Sequence, residues 1–533
     1  MPSSETPTFA SAAVAAPHRL AAETGRAILA EGGSALEAMV AMAATIAVVY
    51  PHMNAIGGDG FWVVREPSGR VRAIEACGPA GSLATIARYR DKGYDSIPFR
   101  GPDAALTVAG AVGGWAMALH YAESLKENPL PLSVLLADAI RFAREGCPVS
   151  ASEARTVPNQ AAALEAAPGF ADFFRVDGKP PEAGAIRRNP ALAACLEHLM
   201  EEGLDDFYRG DVGREIGADL ERIGAPVTRA DLESYRAVAR EPLSVRRKDA
   251  TLYNHPPPTQ GLASLLLLAI QGRLGTEARE SVDFHHGLIE SVKRAFAIRD
   301  CAVTDFERLI HAPKSFLTPE VIEREAAAID MRRAAPFPLP PAKGDTIWMG
   351  AIDGEGLAVS YIQSTYWEWG SGCVLPRTGI HWQNRGGAFS LDPHAVNPLE
   401  PGRRPFHTLN PALAAFDDGR VAVYGSMGGD GQPQFQAQIF CRYADAGMDP
   451  LAAVSAPRWL LGRTWGSTST TLKLEADFPD EIVAGLAARG HEIETIPAQN
   501  DLAGHAGLLV KSKRDGRVEA AHDPRSDGGA DGL

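Results

Sequence analysis

A Gly344-Asp345-Thr346 triplet stands where a Pro-rich stretch, Ala334 to Lys343, gives way to a strand-like run. A threonine hydroxyl is a weak nucleophile at neutral pH and needs a base beside it. If the bond before Thr346 were cut, that residue would carry both its Oγ and a free α-amine. Such an amine titrates near ~8, so it can serve as general base for its own hydroxyl. On its own the triplet reads equally well as a β-prone residue opening a strand. Gly425-Ser-Met-Gly-Gly-Asp-Gly431 is the second feature, between a strand pattern and a helical one. Gly428 and Gly429 could there offer backbone N–H groups to an oxyanion, or simply supply positive φ for a tight turn.

Other chemistries find little support. There is no Walker A loop, HExxH or EF-hand pattern, and Gly57-Gly58-Asp59-Gly60 lacks GxGxxG spacing. Ser426 is not in a GxSxG elbow, because Tyr424 stands where the first glycine belongs. His285 and His286 are adjacent, so on a helix they point apart and make no ligand pair. Neither a metal nor a cofactor is expected.

Composition narrows the class further. The chain has 533 residues, 45% hydrophobic and 22% charged, which is ordinary globular usage. Such a chain can bury a large core without staples. The net charge is −14 with no basic run, which argues against a nucleic-acid partner. Cys77, Cys147, Cys195, Cys301, Cys373 and Cys441 show no CxxC spacing, as suits a reducing compartment. The N-terminus has no basic run before an apolar one. The most apolar early stretch, Val40 to Tyr50, falls far short of the ~20 residues of a membrane helix. A soluble, cytoplasmic protein without a membrane partner is the expectation.

Local patterns place the two features. His18 to Glu31 reads as a helix stopped by Gly32-Gly33, and Ser34 with Glu37 makes a capping box for a second, Ala35 to Val49. Phe61 to Arg65 and Val71 to Glu75 read as a hairpin. From Val108 to about Asp330 the chain looks mainly helical, interrupted at Pro256-Pro-Pro-Thr-Gln-Gly261. Thr346 to Asp353 and Leu357 to Thr365 form a hairpin around Gly354-Glu-Gly356. Further strands are expected at Gly379 to Trp382, Val421 to Gly425 and Leu472 to Glu475, and helices near Gln432 to Ala446 and Asp480 to Arg489.

In this order the motifs resemble the γ-glutamyltransferase family of N-terminal-nucleophile hydrolases. The resemblance covers nearly the whole chain. It is carried by Ala22 to Tyr50, Asn54 to Val64, Val108-Ala-Gly-Ala-Val-Gly-Gly-Trp115, Pro256 to Gly261, Thr346, Gly370-Ser-Gly372, Pro401-Gly-Arg-Arg-Pro405 and Gly428-Gly429. It implies an αββα sandwich with a largely helical insertion in the N-terminal part. It also implies self-cleavage between Asp345 and Thr346 into a large subunit, 1–345, and a small one, 346–533, paired as a heterodimer. Thr346 would attack an amide carbonyl, Gly428 and Gly429 would hold the oxyanion, and Ser364 would stand in for a second threonine that bonds the nucleophile's amine.

The departures from the family bear on the substrate. An arginine that clamps the glutamate carboxylate aligns with Glu75, and residues around the glutamate amine align with Tyr366 and Ala388. Paired serines align with His407 and Thr408, and a pocket glutamine with Arg385. These changes argue against glutathione, and since nothing marks an acceptor site transpeptidation is not expected either. Arg385, Tyr366, His407, Thr408 and Glu75 are the expected substrate-binding residues, suited to a short anionic amide. Trp367-Glu-Trp-Gly370 and Arg404-Pro-Phe-His-Thr408 resemble the oxamate amidohydrolase branch, tied to purine catabolism. The alternatives are a glutathione hydrolase, a cephalosporin-acylase-like amidase, a serine hydrolase working through Ser426, and an unprocessed binding homologue.

Overall fold

Two seven-stranded antiparallel sheets lie face to face in the computed structural model, which describes residues 5–156, 161–276, 280–337, 345–462 and 469–533. Their strands, in chain order, are β1 (Thr8–Phe9), β2 (Ala13–Ala16), β3 (Asp59–Arg65), β4 (Val71–Ala76), β5 (Val238–Arg240), β6 (Leu243–Arg247) and β7 (Ala250–Asn254). Then come β8 (Asp345–Ile352), β9 (Ala358–Tyr366), β10 (Ala412–Phe416), β11 (Val421–Ser426), β12 (Ala506–Lys511), β13 (Val518–His522) and β14 (Gly529–Gly532). The first sheet runs β14-β2-β8-β9-β3-β4-β5 and the second β1-β13-β12-β11-β10-β7-β6. Each sheet therefore draws strands from both sides of Thr346.

Period-two alternation along the strands sorts side chains into three cores. Trp62, Val64 and Tyr361 face outward onto α1 (Arg19–Ala30), α2 (Ala35–Val49) and α3 (Ala111–Leu125). Leu252, Ala414 and Tyr424 of the second sheet pack on α4 (Gly261–Gln271), α5 (Val282–Ala302) and α6 (Gln432–Ala444). Phe61, Ile362 and Trp348 meet Leu413, Val423 and Leu509 between the sheets. This is the αββα sandwich. Helix α2 is buried along its whole length, and the Ser34–Glu37 capping box is formed. Between the sheets, Trp348 needs glycines opposite it. A Cβ on Gly425 or Gly507 would fall 2.0 or 2.2 Å from the indole. Two residues from Thr346, this wedge sets how closely the sheets approach.

Three strand assignments differ from the sequence reading. The stretch from Val108 to Asp330 is mostly helical, but β5, β6 and β7 interrupt it, β5 and β6 forming sheet edges and β7 lying next to β6. Gly379 to Trp382 is not a strand; it makes isolated bridges, Gly57 with Trp382 and Val374 with His381. The strands β2 and β12 to β14 carry no strong local strand signal and are recruited by their neighbours. Most of the Pro-rich stretch and Gly344 lie outside the described residues, as does the side chain of Asp345. No helix among the described residues is long and apolar enough to cross a membrane.

Four fully buried charges hold the C-terminal part together. Arg525 Nε donates to Glu475 Oε1 at 2.8 Å and its Nη1 to Asp523 Oδ1 at 3.1 Å, while Arg458 pairs with Asp523. Arg458 also donates to the carbonyls of Ala503 and Gly504, each at 2.7 Å. His505, next in the chain, accepts the N–H of Met427 at 3.0 Å. The network thus braces the loop that contains Gly428. Removing one partner strands a buried charge. Arg458→Met is expected to cost about 3–5 kcal/mol, read as a lower urea midpoint at unchanged slope.

Candidate active site

Thr346 is the second residue of β8 and is wholly buried, at one end of the space between the sheets. Its Oγ lies 3.3 Å from Ser364 Oγ on the neighbouring strand β9. Ser364 is in turn the register partner of Asp59 on β3. Directly opposed residues of an antiparallel pair share a face. Thr346, Ser364 and Asp59 therefore make one row, on the same face as Trp348, Ile362 and Phe61. Gln432 reaches the row from α6, its Nε2 donating to Thr346 Oγ at 3.3 Å.

The loop after β9 builds the floor of the site. Tyr366 and Trp369 take φ of +85° and +66°, a conformation that costs a non-glycine residue about 1–3 kcal/mol. The N–H of Tyr366 is fixed by Ser364 Oγ at 2.8 Å. Further along, three consecutive residues each reach back. Gln383 donates to Asp59 Oδ1 at 3.1 Å, Asn384 Oδ1 accepts the N–H of Trp367 at 3.1 Å, and the Arg385 guanidinium stacks 3.9 Å over the Tyr366 ring. Arg385 is 1% exposed, yet neither Nη1 nor Nη2 has a hydrogen-bond partner among the described residues. Burial pushes its pKa down to about 10, with Tyr366 and Asp59 acting the other way.

His407 and Thr408 are also buried and carry unsatisfied polar atoms. Both His407 ring nitrogens, Thr408 Oγ1 and Gln432 Oε1 find no hydrogen-bond partner among the described residues. His407 Nε2 stands 3.6 Å from Asp59 Oδ2, past hydrogen-bond length. Asp59 Oδ1, by contrast, accepts the N–H groups of Gly78 and Gly110 at 3.1 and 3.0 Å. Burial raises the Asp59 carboxyl to about 7 despite these donors and the nearby Arg385. Burial and Arg385 hold His407 well below its ordinary range, so it is neutral.

Gly428 and Gly429 follow β11 at φ +120° and +56° and lead through one 3-10 turn into α6. N–H groups at the start of a helix lack intrahelical acceptors, so this is a place where donors can be offered to an anion. A Cβ on Gly428 would come within 2.7 Å of the Phe435 ring. Gln260 at the start of α4 secures the loop. Its Nε2 donates to the carbonyls of Gly429 and Thr408 at 2.9 and 2.7 Å. Arg299 fixes both Gln260 Oε1 and Asp430 Oδ1, each at 2.9 Å. The nearby Ser426 hydroxyl is donated to the Met427 carbonyl at 2.8 Å, and among the described residues no base bonds it as a serine nucleophile would require.

Glu75 does not join this cluster as expected from the alignment. Its carboxylate is held by Arg240 at 2.8 Å and Arg404 at 2.9 Å, and burial raises its pKa against both arginines. Of the expected residues, Thr346, Ser364, Tyr366, Arg385 and His407 form a chain of neighbours, while Thr408 is joined to the Gly429 loop through Gln260. Asp59, Gln260, Gln383 and Gln432 join them without having been singled out; only their place beside glycine-rich or Pro-rich loops hinted at it.

The adjacent histidines do diverge. His285 meets Trp459 Nε1 at 3.2 Å, while His286 Nδ1 lies 2.8 Å from His491 Nε2. With Glu290 this makes a His/Glu/His group of metal-ligand type. Glu290, however, carries the Lys293 ammonium at 2.6 Å and the Ala335 N–H at 3.1 Å. A cation already seated on the carboxylate opposes a divalent ion there.

Two stacked sheets between helical layers, with a strand-opening threonine at their shared end, define an N-terminal-nucleophile hydrolase fold. Residues 21–533 match the family model described as Gamma-glutamyltranspeptidase, and the chain belongs to that family; it is an amide hydrolase. It is 50% identical over 518 residues to the oxamate amidohydrolase proenzyme of Klebsiella pneumoniae, covering 97% of this chain and 98% of that one. A glutathione hydrolase-like proenzyme of Bacillus subtilis is 37% identical over 523 residues, 98% of each chain. Among solved structures, cephalosporin acylase from Bacillus halodurans superposes with a TM-score of 0.90 at 32% identity, over 100% of this chain and 98% of that one.

Proposed function

We propose that the chain cuts itself between Asp345 and Thr346 and then hydrolyses a short anionic amide, oxamate being the best fit. The newly freed amine of Thr346 serves as base while Oγ attacks the amide carbonyl. Ser364 Oγ, 3.3 Å from Thr346 Oγ, bonds that amine. The Gly428 and Gly429 N–H groups take the oxyanion, ammonia leaves, and water releases the acyl group. Residues 1–345 and 346–533 stay together as a heterodimer, because both sheets interleave strands from the two segments. A cytoplasmic location suits six free cysteines, five of them buried.

The observation that carries the substrate is Arg385. A buried guanidinium with two open nitrogens is costly unless an anion arrives, and a planar carboxylate matches its fork. The 50%-identical relative, named an oxamate amidohydrolase proenzyme, agrees with this reading. The test is product release from purified protein. Ammonia from oxamate is expected at least about a hundredfold faster, by kcat/KM, than glutamate from glutathione, given the lost glutamate contacts. Comparable or faster glutathione turnover would overturn the assignment.

A further inference from the structure

Resting on the reading of Arg385 as a carboxylate subsite, we propose that Asp59 and His407 form a proton-accepting pair that neutralises the substrate carboxylate on binding. The pair thereby restricts the site to ligands with one negative charge there. The geometry is that of two titratable groups, 1% and 0% exposed, whose facing atoms stand 3.6 Å apart. Asp59 Oδ2 and both His407 nitrogens are without hydrogen-bond partners among the described residues, while Asp59 Oδ1 is saturated by Gly78, Gly110 and Gln383. Polar groups this deeply buried are ordinarily satisfied, so three open atoms on one facing pair mark a site completed by something else.

Charge balance says what completes it. Arg385 acts on both Asp59 and His407, so the empty subsite sets one cation against one carboxylate. A substrate carboxylate on Arg385 leaves an unbalanced negative charge in a buried space. A like charge nearby favours the protonated form of a carboxyl. The other groups facing the pair do not relieve this. Cys77 is held neutral by burial, His255 is pushed down to about 3, and Glu75 and Arg404 neutralise each other. Asp59 is left as the group near neutrality that can take the proton.

The proton inventory balances through the imidazole. In the empty site the ionised Asp59 faces the Nε2–H of a neutral His407. When the anion enters, a solvent proton joins Nδ1 and the Nε2 proton passes to Asp59 Oδ2. His407 remains neutral overall and now has an Nδ1–H to donate, while Asp59 becomes a carboxylic acid bonded to Nε2. One proton is taken up and no other bond changes.

Titration calorimetry of the purified protein with oxalate, the acid that oxamate hydrolysis would leave, tests this. Heats measured in phosphate and in Tris give the protons taken up per ligand. Uptake of about one is expected near pH 8, where Asp59 starts ionised, falling toward about zero below pH 6, where it is already protonated. Asp59→Asn should abolish the uptake. If that variant does not fold, the wild-type pH course decides alone. Binding with no uptake near pH 8, or uptake that persists in Asp59→Asn, overturns the pair but leaves the anion subsite standing. Failure of oxalate to bind at all overturns the reading of Arg385 on which the pair depends.

Discussion

Thr346→Ala is expected to run as a single 56.6 kDa chain on a denaturing gel and to release no measurable ammonia from oxamate. Both losses have one cause. In the mechanism proposed above, the same Oγ that opens the substrate amide first attacks the carbonyl of residue 345, and alanine has no atom to do either. The uncut chain also lacks the base, since the nitrogen of Thr346 is then an amide. Losing nucleophile and base together removes at least about 10⁴ of the rate. Folding should be nearly untouched. Among its contacts, the hydroxyl lies 3.3 Å from Ser364 Oγ and 3.3 Å from Gln432 Nε2, long bonds whose removal costs about 1 kcal/mol. The variant should therefore melt close to the wild type. Thr346→Ser keeps an Oγ and should still cut itself, more slowly or faster but to completion. Two bands from the alanine variant, or turnover that survives it, would remove Thr346 from the mechanism.

The parts of this site that could be read from sequence are those whose signal is local. The hairpin around Gly354 to Gly356 follows from alternation and turn residues, and the Gly425 to Gly431 loop from its glycines. Both appear where expected, with Gly428 at a φ that favours glycine. The alignment of departures from the family also named Tyr366, Arg385 and His407, which lie near one another: the Arg385 guanidinium stacks over Tyr366 and acts on His407. It failed for Glu75, because alignment reports a position on a strand and not where a carboxylate turns. Glu75 turns to Arg240 and Arg404. Asp59 was hidden for a different reason. It reads as part of a glycine-rich strand entry, and its relation to His407 arises only when the second sheet stacks on the first. The adjacent-histidine argument shows the same limit. It ruled out His285 with His286, but it could not foresee His491 arriving from a distant turn. The strand Ala13–Ala16 has the composition of a helix, and pairing with β8 and β14 overrides that preference.

Arg385→Met should lower kcat/KM for oxamate about a thousandfold, or about 4 kcal/mol, while turnover of a neutral short amide falls far less. The argument turns on what the arginine lacks. An arginine kept for structure is paired; Arg458 and Arg525 show that arrangement in this same chain, each bound to a buried carboxylate. Arg385 has a tyrosine ring beneath it and two open nitrogens. Its burial without a partner is a cost that the folded protein carries until an anion binds. Methionine fills similar space without that cost. The melting temperature of Arg385→Met should therefore equal or exceed that of wild type, even as activity on the anion collapses. Arg385→Lys should recover only part of the activity, because an ammonium offers a point charge in place of a two-pronged fork. Lower stability in Arg385→Met with oxamate turnover intact would mean the residue is structural. Stability kept or raised, with loss confined to anionic amides, is the pattern only a substrate cation gives.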